Sequence, residues 1–320
     1  MKSFYIRHLI FILFFSIAVF SNGQKASLAE LIKQSKSSNT EKKLDAYNKL
    51  ANYYTGSLPD STIYYCNEAL KYTNDNEERT VFITSMGLAN NYKGEFRIAL
   101  DFQLQAVELI KNSKDKFRKS HVYHNTGIAY DYMGEYDKAL EFYYKSLSLR
   151  KSQNDLPGCK SSFGNIGLIY YLKGDFNNAI KFMFASKEMA TFLGDEIGIA
   201  SAQTNIGLVY QAQEEFKKEL DIHLEAQKVY EKIGSKQDIA LGYNNIGSAL
   251  MDLKQYDKAI VYHHKSLEIK KEIGDVVGIT MSMQNLGSCY YKTDSLDAAV
   301  KISLEGFVNA EKQDDIPNRI

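Results

Sequence analysis

Residues 165–179 read NIGLIYYLKGDFNNA, and residues 205–219, forty positions later, read NIGLVYQAQEEFKKE. The same register returns along most of the chain, so a forty-residue repeat organises the sequence. A glycine marks the copies at Gly87, Gly127, Gly167, Gly207, Gly247 and Gly287. Two residues before it stand Asn125, Asn165, Asn205, Asn245 and Asn285, with Ser85 in their place before Gly87.

Two further positions return with the glycine. Tyrosine stands three residues after it in most copies, and alanine stands twelve residues after it in all but one, where Glu219 replaces it. A shorter copy precedes these, over residues 44–72. We therefore predict seven copies within residues 41–313, near residues 41–73, 79–113, 118–153, 158–193, 197–233, 237–273 and 277–312.

Each copy is predicted to form two helices. Residues 118–133 and 135–152 carry apolar side chains at helical spacing, and Gly134 between them suits the left-handed residue that ends a helix. Between copies, Gly234-Ser235 and Gly274-Asp275 combine a helix-ending glycine with an N-cap side chain. Three prolines in 320 residues suit uninterrupted helices. No strand-like alternation persists, which predicts an all-α fold.

These residues resemble the tetratricopeptide repeat. Ile166, Gly167, Tyr170 and Ala179 match its signature, with Met183 in the slot of its second aromatic residue. The usual repeat has about 34 residues, and a forty-residue unit is similar to the class found in kinesin light chains, Pins-type adaptors and Rap-type bacterial regulators. The resemblance covers about residues 41–312. It implies a right-handed α-solenoid of about seven helical hairpins, whose first helices line the inner, concave face.

The recurring glycine has a packing explanation. Glycine inside a helix costs roughly 0.5–1 kcal/mol relative to alanine, so six copies require contacts that glycine alone permits. We predict that the two helices of a hairpin approach each other closely here, with the alanine of the second helix facing the glycine. The six glycines are therefore assigned a structural role, and no phosphate-binding glycine motif is present.

The asparagine two residues before the glycine is predicted to lie on the inner face. Each carboxamide offers one acceptor and two donors, so five of them in phase form a ladder able to hold an extended peptide backbone. The alternative is that these amides bond to the adjacent repeat and maintain its curvature. By phase, the neighbouring inner-face residues are His124, Thr204, Asn244, Gln284, Tyr171 and Gln211, with Thr84, Asp131, Met251 and Tyr291.

No motif for catalysis or for a cofactor is present. Metalloprotease, serine hydrolase, nucleotide-binding and kinase signatures are missing, so we do not expect an enzyme. His121 and His124 have no third ligand at helical spacing, and Cys66, Cys159 and Cys289 lie far apart. We expect no metal site and assign the cysteines to the core. Basic and acidic residues number 39 each, which gives no basic surface for nucleic acid.

Residues 1–23 have the layout of a secretory signal peptide. Lys2 and Arg7 precede an apolar run over residues 9–20, and small residues precede a cleavage site before Gln24. We expect export to the periplasm or cell envelope, with an uncleaved anchor as the alternative, and a linker or helix over residues 24–40. No second long apolar segment follows, so the repeats are not expected to insert into a membrane.

Residues 314–320 align with the start of the preceding copies. They are predicted to begin a further, truncated repeat, and the preceding helix is predicted to leave Leu296, Ala299, Ile302 and Phe307 uncovered. The expected function is non-catalytic binding of a protein or an extended peptide. Two forms of it stay open: a stand-alone scaffold in the cell envelope, or the extracytoplasmic sensor region of a longer histidine kinase or transcriptional regulator, in whose missing part any kinase activity would lie.

Overall fold

The computed structural model of the protein describes residues 28–314, which form fifteen α-helices and no β-strand. The prediction of an all-α fold is confirmed, while the predicted signal peptide (residues 1–23) and residues 315–320 lie outside the described residues. In chain order the helices are α1 (Leu28–Gln34), α2 (Thr40–Tyr54), α3 (Pro59–Leu70), α4 (Asn76–Tyr92), α5 (Phe96–Ile110), α6 (Lys116–Tyr132), α7 (Tyr136–Ser152), α8 (Leu156–Leu172), α9 (Phe176–Phe192), α10 (Glu196–Ala212), α11 (Phe216–Ile233), α12 (Lys236–Asp252), α13 (Tyr256–Ile273), α14 (Val276–Lys292) and α15 (Leu296–Asp314).

The chain divides into two compact units, Met1–Lys173 (unit 1) and Gly174–Ile320 (unit 2). Among the described helices, unit 1 holds α1–α8 and unit 2 holds α9–α15. Within each unit every helix packs against the next one along the chain, and first helices of consecutive hairpins also touch, as α4 and α6 do in unit 1 and α12 and α14 in unit 2. Each unit is therefore a stack of helical hairpins.

The helix ends follow from local sequence. A side-chain oxygen of the N-cap residue accepts a hydrogen bond from the backbone N–H three residues later, at 2.9 Å for Asp115 and Asp275. Gly234 and Gly274 end α11 and α13 with φ of 78° and 72°, a left-handed conformation that glycine adopts without strain. The predicted glycine–N-cap junctions between copies are confirmed.

The mid-helix glycines lie against the second helix of their hairpin, as predicted. A Cβ placed on Gly127 would lie 2.7 Å from the ring of Tyr143, and one on Gly247 would lie 2.6 Å from the ring of His263. The closest side chain is thus one turn beyond the alanine, which was expected to face the glycine. The reason is directional: side chains on a helix lean toward its N-terminus, so the larger residue four positions later folds back over the glycine. Ala139 is fully buried beside it.

The three cysteines pack in the interior. Cys66, Cys159 and Cys289 are buried and unpaired, as predicted. Burial raises the pKa of the Cys66 thiol to about 12 and that of Cys289 to about 11. Neither thiol is a useful nucleophile at neutral pH.

The last described helix, α15, is only partly covered. Ala299 is buried and Ile302 packs against the core of Leu267, Met283 and Leu286, whereas Leu296 and Phe307 are 55% and 60% exposed. The predicted uncovered face therefore holds for two of its four residues. No described helix combines the length and the apolar character needed to cross a bilayer.

Candidate functional site

The predicted ligand-contact residues all lie on first helices. Unit 1 places His124 and Asn125 on α6, and Asn165 and Tyr171 on α8. Unit 2 places the others on three helices: Thr204, Asn205 and Gln211 on α10, Asn244 and Asn245 on α12, and Gln284 and Asn285 on α14. Each unit therefore carries its own part of the predicted row.

In unit 1 the asparagine of one hairpin meets the histidine of the preceding hairpin. Arg150 Nη1 lies 3.4 Å from His124 Nδ1. Asn165 Nδ2 lies 3.4 Å from His124 Nε2. The guanidinium and the amide nitrogen can only donate, and a neutral imidazole accepts at one ring nitrogen, so His124 accepts from one of these two groups. Burial, and then the charge of Arg150, hold the pKa of His124 well below its usual range. The same carboxamide also hydrogen-bonds the Tyr143 hydroxyl.

Unit 2 repeats this geometry with amides. Asn285 Nδ2 donates to Asn244 Oδ1 at 3.0 Å, and Gln211 Nε2 donates to Asp252 Oδ2 at 2.7 Å. In both pairs, as in the unit 1 pair, the partners are 41 residues apart on consecutive first helices. The alternative interpretation, in which inner-face amides bond to the adjacent repeat, thus describes Asn165 and Asn285.

Three of the predicted contact residues are buried. Asn205 and Thr204 are each 2% exposed, and Asn244 is 7% exposed. The Thr204 hydroxyl lies 3.0 Å from the Tyr230 hydroxyl of α11, so it faces the second helix of its own hairpin. The Asn205 carboxamide oxygen has no hydrogen-bond partner. Direct contact between a ligand and Thr204 or Asn205 would require these helices to separate.

The remaining predicted residues reach the surface. Asn125, Asn245 and Tyr171 are half-buried, and Gln284 is exposed. Burial raises the pKa of Tyr171, which keeps its hydroxyl protonated as a hydrogen-bond donor. A ligand on the first helices would therefore meet separate amide and phenol groups rather than five equivalent asparagines.

A buried cation lies near the predicted row in unit 1, and sequence reasoning missed it. Arg150, near the end of α7, is 3% exposed. Its Nη1 donates to the Gly158 carbonyl oxygen at 2.7 Å and to Ser162 Oγ at 3.0 Å, and its Nε lies 3.7 Å from Asp155 Oδ2. Burial lowers the pKa of the guanidinium and the negative charge of Asp155 opposes that. Arg150 thereby joins α7 to α8.

Unit 2 has the same feature three copies later. Lys270, in the last turn of α13, is 7% exposed, and its Nζ donates to Ser282 Oγ at 3.1 Å. Burial lowers its pKa, opposed by Asp275. A basic residue at a helical position that is apolar in the neighbouring copies (Ile110, Ala190) was the available signal.

Glu219 appeared in the sequence only as the exception to the recurring alanine. It is 2% exposed, and its Oε2 has no hydrogen-bond partner. Burial and, to a smaller extent, the charge of Asp252 raise the pKa of this carboxyl to about 8. On the same helix His223 lies against Gly207, and burial lowers its pKa to about 4. This hairpin therefore buries a carboxyl where the other copies have alanine.

We expect Glu219→Gln to stabilise the protein at alkaline pH. The folded-state pKa of Glu219 lies above the usual glutamate value of 4.5, so its contribution to stability is full below about pH 4.5 and is lost as the pH rises through about 8. Glutamine cannot ionise. The free energy of unfolding of the Glu219→Gln variant, from urea denaturation, should exceed that of the wild type by on the order of 2 kcal/mol at pH 8–9. The two values should match near pH 5.

The matched control is Glu268→Gln, because Glu268 is exposed on α13. It should leave the pH profile unchanged. The buried imidazoles of His223 and His263, each with a pKa lowered to about 4, act in the opposite direction and lose stability as the pH falls from about 6.5 through 4. If wild type and Glu219→Gln gave parallel profiles from pH 6 to 9, the buried ionisation would be excluded.

The described residues offer no constellation for metal chemistry. No group of three or more histidine, cysteine, aspartate or glutamate side chains in residues 28–314 is arranged to hold a metal ion. His124 lies 3.4 Å from both Arg150 Nη1 and Asn165 Nδ2.

Sequence models described as tetratricopeptide repeat match this chain. One matches residues 80–152 and 238–305, and another matches residues 161–188. Together the matched ranges cover more than half of the chain. No curated protein matches it in sequence.

Solved structures show the same fold. The apo form of RapI superposes with a TM-score of 0.71 at 16% identity, covering 86% of this chain and 77% of RapI. A Rap protein complexed with competence and sporulation factor gives a TM-score of 0.65 at 13% identity, covering 88% and 90%.

A signal transduction ATPase with numerous domains and a tetratricopeptide repeat sensor, from Pyrococcus horikoshii, gives a TM-score of 0.70 at 19% identity. The match covers 90% of this chain and 46% of that protein, so the chain spans less than half of its length. Identities this low show the fold alone. The predicted α-solenoid of helical hairpins is confirmed.

Proposed function

We propose that this chain, which belongs to the tetratricopeptide repeat family, holds an extended segment of another polypeptide against its first helices and performs no reaction on it. One observation supports this most directly. At one repeat position of successive first helices stand half-buried carboxamides, those of Asn125 and Asn165 in unit 1 and of Asn245 and Asn285 in unit 2. A carboxamide both donates and accepts, as a peptide backbone does, so it binds that backbone whatever its sequence.

The dimensions suit an extended ligand. Neighbouring packed helices lie roughly 8–10 Å apart, and an extended chain advances about 3.3 Å per residue. Successive amides would meet about every third residue of the bound segment. Because Asn165 and Asn285 are bonded to the preceding repeat, Asn125 and Asn245 are the freest contacts. The bonded pairs hold the first helices in register.

Asn125→Ala and Asn245→Ala together should weaken peptide binding about tenfold or more. Each lost hydrogen bond is worth about 1 kcal/mol, and 1.4 kcal/mol corresponds to a factor of ten. The probe is an extended peptide selected on the full chain from a random displayed library, and binding is measured by calorimetry.

The control for this double variant is Asn67→Ala, an exposed asparagine on the second helix α3, which should bind the peptide normally. Circular dichroism melting checks that the double variant is folded. Unchanged affinity in a folded double variant would reject the amide contacts.

A second form of this function is supported by the match to the Pyrococcus horikoshii protein, whose tetratricopeptide repeats are a sensor within a longer signal transduction ATPase. This chain would then be the extracytoplasmic sensor region of a longer regulator, with the bound polypeptide as its signal. The two forms differ in what is joined to the repeats, and sequencing the gene beyond the codon for Ile320 separates them.

We also propose that the repeats act outside the cytoplasm, in the periplasm or cell envelope. The support is the charged, apolar and small-residue layout of residues 1–23. Intact-mass measurement of the protein from its native host is the test. A periplasmic form that begins at Gln24 is expected, and an uncut chain in the cytosolic fraction would reject the proposal.

A further inference from the structure

An acidic side chain stands on the row of first-helix residues in unit 2. Gln211 on α10 donates to Asp252 on α12 at 2.7 Å, with the 41-residue spacing that also joins Asn244 to Asn285. Asp252 is half-buried. The pair therefore lies on the first helices, to which the proposed function assigns the ligand.

The charge of Asp252 is not balanced by an ion pair within the part of the chain that the structure describes. No lysine or arginine of residues 28–314 forms an ion pair with Asp252, whereas Asp155 faces Arg150 and Asp60 faces Lys93. Asp252 is also the last residue of α12. A carboxylate at a helix C-terminus meets the negative end of the helix dipole, which disfavours it. An external cation would relieve both costs.

A second, separate feature is the buried carboxyl group of Glu219, on which the charge of this aspartate acts. Glu219 of α11 is 2% exposed with an unpartnered Oε2, and Asp252 is the charged side chain that acts on it. His223, one turn along the same helix, also leaves its Nδ1 unpartnered. The only charged residue of α10 is Glu196 at its start, where Lys232 holds it. A buried carboxyl thus stands where the other copies have alanine, and no hydrogen bond from the described residues to its Oε2 offsets the cost of burial.

Departures of this kind from an otherwise consistent pattern are expected at functional positions. We infer that Asp252, oriented by Gln211 and backed by Glu219, forms a subsite for a cationic side chain, arginine or lysine, of the bound polypeptide; this rests on the proposed function.

An organic cation fits these groups better than a metal ion. The described residues contain no set of three or more metal-ligating side chains here or elsewhere. Asp252 offers one half-buried carboxylate and Gln211 offers its amide oxygen, while the charge of Asp252 acts on the buried Glu219 carboxyl. A guanidinium or ammonium group forms charge-assisted hydrogen bonds with such acceptors.

Proton release follows from the arrangement. Without a ligand, Glu219 is largely protonated at neutral pH because its pKa is about 8. A cation beside Asp252 favours the ionised form of Glu219. Its binding therefore releases a proton from the Glu219 carboxyl, and the affinity rises as the pH increases through about 8.

The test uses two capped alanine-based peptides of about nine residues, one with a central arginine and one with citrulline, which keeps the shape but lacks the charge. Calorimetry on the full chain at pH 7, where Glu219 is largely protonated, in two buffers of different ionisation enthalpy, measures affinity and proton release. The arginine peptide should bind about tenfold more tightly than the citrulline peptide. It should also release a proton, and the citrulline peptide should not.

Four variants separate the roles. Asp252→Asn should abolish the preference for arginine, and Asp252→Glu should keep most of it. Glu219→Ala, which installs the residue of the other copies, should keep a weaker preference that no longer grows between pH 7 and 9. Asp257→Asn removes one exposed acid at the start of α13 and should leave the preference intact. Circular dichroism checks that each variant is folded.

The outcomes are distinct. Equal binding of both peptides by the wild type overturns the cationic subsite and leaves the proposed peptide binding standing. If neither peptide binds, both the cationic subsite and the proposed peptide binding are overturned. An equal loss in Asp257→Asn and Asp252→Asn would assign the preference to overall charge and overturn the subsite.

Discussion

Arg150→Ala is expected to lower the free energy of unfolding by about 3 kcal/mol. The guanidinium donates to the Gly158 carbonyl oxygen and to Ser162 Oγ, and it lies beside the half-buried Asp155. Alanine leaves these groups without a partner, together with a cavity between α7 and α8. Urea denaturation of the full chain, followed by circular dichroism, measures the loss.

Two comparisons identify the cause. Arg150→Lys should lose much less, because Lys270 fills the equivalent position in unit 2 and reaches Ser282. Arg97→Ala should change the free energy of unfolding by less than about 0.5 kcal/mol, because the Arg97 side chain is 74% exposed. If the Arg150 and Arg97 variants lost the same amount, the buried hydrogen bonds would not be the source of stability.

Gly127→Ala is expected to destabilise the protein by about 2 kcal/mol, although alanine is the better helix former by roughly 0.5–1 kcal/mol. The new Cβ would lie 2.7 Å from the ring of Tyr143. That ring is 1% exposed, so it has no free space into which to move. Thermal and urea unfolding of the full chain measure the change.

Gly287→Ala is the matched control at the same repeat position. Its Cβ would meet the Ser303 hydroxyl at 2.7 Å, and that hydroxyl moves aside by a single rotation. Gly287→Ala should therefore be neutral or slightly stabilising. The double variant Gly127→Ala with Tyr143→Ala should lose less than the sum of the single losses. Equal effects of alanine at Gly127 and Gly287 on the free energy of unfolding would mean that packing against an aromatic ring does not explain why this glycine recurs.

Residues that depart from the repeat pattern are the candidates for function, because the recurring residues serve packing. Glycine and alanine recur because every hairpin needs the same close approach of two helices. Glu219 breaks that pattern, and its buried Oε2 has no hydrogen-bond partner among residues 28–314. Within the same residues Asp252 has an amide partner and forms no ion pair. Both lie in unit 2, and together they would give the proposed peptide-binding surface a preference for a cationic side chain.

The helix on which each predicted contact residue lies was predictable from the sequence, but the burial of its side chain was not. Repeat phase correctly places Asn125, Asn165 and Asn245 on first helices. Repeat phase predicts the side of the helix on which a residue lies. It does not predict how much of that side a neighbouring helix covers. Asn205 has the same phase and is nonetheless 2% exposed, while Thr204 bonds to α11 rather than to solvent.

The forty-residue period, the junction residues and the recurring glycine were enough to establish the helices and their order, because each depends on local backbone preference and on a repeated contact. Which amides are free, which bond across hairpins, and where Arg150, Lys270 and Glu219 are buried depended on tertiary packing. Those properties arise from contacts between residues 8 to 41 positions apart on different helices, and a helix surface acquires them only when a second helix covers it.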